Sequence, residues 1–136
     1  MEIDRTKLFR RLVVISTILF VILWMMPYVD YNWLSKDEAR LANSDGYGSY
    51  IPKTPVIYLA NFIVWLMLSV GLFFYMPIAR TGFLVCIVVS LVADFFWGFK
   101  VYAPYEVALS GIVTLSDGAI LVMAYLTSVS DKFEKA

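Results

Sequence analysis

The chain has 136 residues, the size of one domain; 61% are hydrophobic and only 16% charged, and 11 basic and 11 acidic side chains cancel to zero net charge. Soluble domains run near ~45–50% apolar and ~25% charged, so this composition argues for a membrane protein, and the lack of a basic excess argues against nucleic acid as a partner. With no histidine and a single cysteine, Cys86, the chain lacks the usual zinc and haem ligands, the commonest general base, any Ser-His or Cys-His nucleophile pair and any internal disulfide or CxxC chemistry; no cofactor, metal site or catalytic residue is expected.

Arg5, Lys7, Arg10 and Arg11 precede the first apolar run, Leu12 to Val29. The residues closing it, Pro27-Tyr-Val-Asp-Tyr-Asn-Trp33, offer no small-x-small cleavage site. The run therefore reads as an uncleaved first transmembrane helix, roughly 8–29, with Pro27 ending it.

The one large connection follows, residues 30–54. Ser35-Lys-Asp-Glu38 is a capping box, predicting a short helix from Lys36 to Ala42. Asn43-Ser-Asp-Gly-Tyr-Gly48 breaks that helix, and Asp45 to Gly48 is expected to turn the chain back over the bundle. Trp33, Tyr47 and Tyr50 are amphipathic rings suited either to packing the loop down as a lid or to contacting a partner.

Three further runs, Pro55 to Ala79, Gly82 to Phe99 and Val107 to Val129, predict spans at roughly 55–79, 82–101 and 105–129, each about 18 residues or more, enough for a ~30 Å hydrocarbon core. Pro55 and Pro104 suit helix starts, and Pro77 and Gly82 are read as bracketing a turn around Arg80. The expected fold is an all-α membrane protein: a single four-transmembrane-helix bundle with one large external loop containing a short helix. Four spans put both termini on one side, where Arg5, Lys7, Arg10, Arg11, Arg80, Lys132 and Lys135 outnumber Lys36, Arg40, Lys53 and Lys100 on the other, seven to four. That division predicts cytoplasmic termini and a periplasmic loop in a bacterial inner membrane, with Tyr28, Tyr31, Trp33, Tyr102 and Tyr105 as an outer aromatic belt.

Several polar residues fall inside the runs: Asp94 with Ser90 on the third, Asp117 with Thr114 and Ser110 on the fourth, Asn61 on the second. Counted from Gly82, Asp94 lies about 18 Å from the inner face, and counted from Val107, Asp117 lies about 15 Å from the outer one, so both are expected near the midplane and facing the bundle interior. An acid there costs roughly 2.5–3.5 kcal/mol when charged, so at least one is expected to be neutral at neutral pH. Gly111, Thr114 and Gly118 offer a small-residue surface for close helix contact.

Two functions fit. One is a small non-enzymatic membrane protein that binds a protein partner or assembles with its own copies through its helices or loop, as a toxin-immunity protein or an accessory subunit would. The other is a proton- or cation-coupled transporter or channel using Asp94 and Asp117.

Overall fold

The computed structural model describes residues 4–42, 50, 54–96 and 101–134. The described residues form seven helices and no strand: α1 Arg5–Trp24, α2 Met26–Trp33, α3 Lys36–Ala42, α4 Pro55–Phe73, α5 Pro77–Asp94, α6 Pro104–Leu126 and α7 Ser130–Glu134. The start signals are local and chemical. Asp4 accepts from the Thr6 and Lys7 amides at the head of α1, and Thr54 accepts from the Ile57 amide at the head of α4. Pro55, Pro77 and Pro104 open α4, α5 and α6, where a missing N–H leaves no bond unmade. The Ser35 capping box forms as expected: Ser35 Oγ accepts from the Glu38 amide and the Glu38 carboxylate accepts from the Ser35 amide and hydroxyl.

Pro27 does not simply end the first helix. The chain breaks at Met25, resumes as α2 with Pro27 in its first turn, and bends by 45°, because proline cannot donate to, and collides with, the carbonyl four residues back yet is well suited to a first turn. The second connection also differs from expectation. It falls at Phe74 to Met76, not around Arg80, which lies inside α5. The Met76 amide donates to Gly71 O at 2.9 Å and the Tyr75 amide to Leu72 O at 3.0 Å, a Schellman closure. Tyr75 takes the left-handed position with φ 60, where glycine is usual.

Helices α4, α5 and α6 are each long and apolar enough to cross a membrane, and α1 with α2 makes a fourth if the bent pair is one span. That is consistent with a multi-pass membrane protein. Only 11% of the apolar stretches of α4 and α5 and 22% of that of α6 is buried within the protein, so most of that surface requires cover from lipid or a partner.

The core sits at one end. There Phe9 of α1, Tyr75 and Phe133 of α7 form a triad with ring centroids 5.4–5.8 Å apart, joined by Leu72, Ala79, Phe83, Ile120, Ala124 and Val129. The Tyr75 hydroxyl donates to Thr6 O at 3.2 Å. Arg10 lies over the Phe73 and Tyr75 rings and Arg80 over Tyr125 and Phe133, attracted by the ring faces. Close approach occurs between α4 and α5, where a methyl added to Gly71 would lie 2.5 Å from Ala79 Cβ. The small-residue surface expected on the fourth span is unused: a methyl at Gly111 or Gly118 would meet nothing within 4 Å.

Candidate functional site

Helix α1 packs along α6 on one side and α4 on the other, while α5 packs mainly on α4 and touches α6 only lightly. The buried core draws the helices together at the end carrying the termini, and toward α2 helices α1 and α4 stay in contact through Trp24, Tyr58 and Phe62. Between them opens a cleft of about 830 Å³, within the range of small-molecule sites.

Each wall is one helical face. Helix α6 presents Glu106, Val107, Ser110 and Thr114, which recur at three to four residues. Helix α4 presents Tyr58 and Asn61 beyond its Thr54 cap, and α1 presents Phe20, Leu23 and Trp24. Pro27 of α2 and Ala42 of α3 reach the same space, and Asp94 and Tyr102 stand on the remaining side. The aromatic wall is held from behind: Trp24 stacks on Phe62 at 4.3 Å and on Tyr58 at 5.4 Å, and Phe20 stacks on Phe62 at 5.9 Å. The Tyr58 hydroxyl donates to Trp24 O at 3.3 Å. The Trp24 indole nitrogen is buried and has no hydrogen-bond partner among the described residues.

The polar side chains have distinct jobs. Ser110 and Thr114 hydroxyls donate back to Val107 O and Ser110 O of their own helix, which keeps them in place with their oxygens still able to accept. Glu106 accepts from the Ala103 amide at 2.9 Å, closing the start of α6. Asp94 makes no hydrogen bond or ion pair with any described residue, and it is exposed. Tyr102, just ahead of α6, has its phenol pushed up from the ordinary value by partial desolvation, with the Asp94 and Glu106 charges adding to the effect.

The expectation that Asp94 and Asp117 share one depth does not hold. Asp94 is the last residue of α5, whose start at Pro77 lies five residues earlier than the expected Gly82. Its distance from that start is therefore about 26 Å at ~1.5 Å per residue. Asp117 does face the interior. It is 8% exposed and accepts from Ser16 Oγ of α1 at 2.6 Å, with Ser16 itself 5% exposed. It lies one turn beyond Thr114, which lines the cleft. Asn61 and Thr114 belong to the cleft, whereas Ser90 is half-buried on α5 outside it.

Trp33 and Tyr50 are 79% and 85% exposed, so neither ring holds the loop down as a lid would. The loop end is tied instead by the Tyr50 amide donating to Phe96 O, by Tyr105 Oη donating to the fully buried Asp30 and by Ala39 of α3, 1% exposed. Tyr47, the turn at residues 45–48, and Lys53, Trp97 and Lys100 lie outside the described residues. Sequence reasoning missed Asp30, Glu106, Phe20 and Trp24. The detectable signals were Glu106 three residues past Ala103 as a cap, and an acid placed three residues beyond Pro27.

The fold and cleft define a class: a small all-helical protein with three or four helices fit to cross a membrane and a polar-walled cleft between them. Compared with protein-family models, curated proteins and solved structures, the chain matches none.

Proposed function

We propose that the protein resides in a bacterial inner membrane with both termini in the cytoplasm, and that it works by binding rather than catalysis, receiving its partner in the cleft from the periplasmic side. The orientation rests on the basic residues, since Arg10 and Arg80 are both fastened to the aromatic core at the end carrying the termini. The observation that carries the binding reading is the cleft itself: helices otherwise covered in apolar side chains turn Asn61, Asp94, Glu106, Ser110 and Thr114 toward one open space. Asn61, Ser110 and Thr114 lie within the apolar helices, where polar groups are costly and persist where they line a cavity or meet a partner, while Asp94 and Glu106 stand at helix ends. A toxin-immunity protein and an accessory subunit of a larger complex are the two settings this reading covers.

Photocrosslinking tests it. A photoreactive residue at Ser110, inside the cleft, should give a saturable adduct in native membranes, whereas one at Leu115, 77% exposed on the outer face of the same helix, should label only lipid. The same adducts at both positions would overturn the reading.

A second reading, a proton- or cation-coupled carrier, is favoured by one observation: the buried Asp117–Ser16 pair one turn beyond the cleft. In that case Asp117→Asn would abolish flux into proteoliposomes while leaving the protein folded; unchanged flux, or no flux from the parent protein, removes this reading.

A further inference from the structure

We propose that the cleft binds an amphipathic organic cation, with its positive charge at Asp94 and its apolar body against Phe20, Trp24 and Tyr58. The inference rests on the cleft-binding reading and names its ligand class. Three independent features converge on it. The first is size: about 830 Å³ suits a small molecule.

The second is charge. The described lining holds two acids, Asp94 and Glu106, and no lysine or arginine. Asp94 moreover closes α5 at its C-terminal end, the end that carries partial negative charge from unsatisfied carbonyls and that favours a cation over an anion. A carboxylate placed there, exposed and without an ion pair among the described residues, works against its own helix. A bound cation relieves both the side chain and the helix terminus. Glu106 differs, because it sits in the first turn of α6 and is committed to the Ala103 amide, so Asp94 is the charge that a ligand meets.

The third is the wall opposite. The rings of Phe20, Trp24 and Tyr58 form a fixed apolar surface braced by Phe62. Aromatic faces attract cations, more strongly where water is excluded. Ser110 and Thr114, which line the cleft while donating to their own helix, add hydroxyl oxygens and no positive charge. The described lining thus sets two carboxylates beside an aromatic wall, a combination that gives a lipophilic cation both of the contacts it needs.

The probe pair is tetraphenylphosphonium and tetraphenylborate, ions of nearly the same shape and opposite charge, titrated into the full-length protein in nanodiscs. The phosphonium should bind saturably and the borate should not. Asp94→Asn should weaken the phosphonium about tenfold or more, Asp94→Glu should retain most of the binding, and Leu115→Ala on the lipid-facing side should change nothing. Thermal unfolding of each variant confirms that it is folded. Equal saturable binding of the two ions above that of protein-free nanodiscs, or phosphonium binding indifferent to Asp94→Asn, would overturn the proposal. So would the absence of phosphonium binding to folded protein; a saturable crosslink at Ser110 in that case would leave the cleft-binding reading standing with a different occupant.

Discussion

Glycine to alanine, made at two places, isolates the contact that closes one end of the bundle. At Gly71 the new methyl would lie 2.5 Å from Ala79 Cβ, where carbon atoms prefer about 3.5–4.0 Å, so α4 and α5 must separate by more than an ångström. Overpacking of this kind costs roughly 1–3 kcal/mol. At Gly111 the methyl meets nothing within 4 Å. Both positions are helical, so both variants gain about 1 kcal/mol of helix propensity. Gly111→Ala should therefore be neutral to slightly stabilising, Gly71→Ala should be neutral to destabilising by up to about 2 kcal/mol, and the gap between them should be about 1–3 kcal/mol. Thermal unfolding in mild detergent reads that gap as a shift of roughly 3–5 °C per kcal/mol for a chain of this length. Ala79→Gly should partly restore Gly71→Ala, with a coupling above about 0.5 kcal/mol. Equal effects at Gly71 and Gly111, or no coupling with Ala79, would refute the close packing of α4 on α5.

Other perturbations address the remaining contacts. Asp117→Ala leaves the buried Ser16 hydroxyl without its acceptor and should destabilise by about 1–3 kcal/mol, whereas Asp117→Asn keeps an oxygen in place and should cost less than ~1 kcal/mol, as measured by unfolding. Tyr75→Phe should lose the bond to Thr6 O and the hydroxyl's interaction with Arg10, about 0.5–1.5 kcal/mol; Tyr75→Gly relieves ~1–2 kcal/mol of left-handed strain but empties the aromatic triad, for a net loss of about 1–4 kcal/mol. The Ser35 hydroxyl and amide hold the Glu38 carboxyl below its ordinary value of 4.5. A lowered folded value contributes stability that is fully present above pH 4.5 and lost as pH falls through the lowered one. Amide NMR signals of α3 should thus be constant from neutral pH down to about 4.5 and shift below it, and in Ser35→Ala that response should move up toward the ordinary value of 4.5.

Local chemistry was legible in the sequence and tertiary geometry was not. The capping box at Ser35–Glu38 and the prolines at 55 and 104 act within a few residues of themselves, and the helices begin where they predict. Hydropathy could not locate the second connection, because Phe73, Phe74, Tyr75 and Met76 are as apolar as the helix they end, and because Tyr75 takes a conformation that glycine normally announces. Its burial against Phe9 and Phe133 explains why tyrosine holds that position. Moving the start of α5 from Gly82 to Pro77 then carried Asp94 from the middle of the span to its end. Ser16 and Asp117 lie 101 positions apart, so no spacing rule could join them. The cleft arises from which helices do not touch, and a sequence records that nowhere.

Cysteine accessibility tests most directly the open cleft and the orientation proposed for it, closed toward the cytoplasm and open to the periplasm. Cys86 is the only cysteine, so Cys86→Ala gives a clean background for Ser110→Cys and Thr114→Cys in the cleft, Leu115→Cys facing lipid, and Ile120→Cys, 2% exposed in the core. In right-side-out spheroplasts a membrane-impermeant thiol reagent should modify positions 110 and 114 and spare 115 and 120. Modification of 110 and 114 only in inverted vesicles would reverse the orientation, and protection of both from either side would show that no open cleft exists.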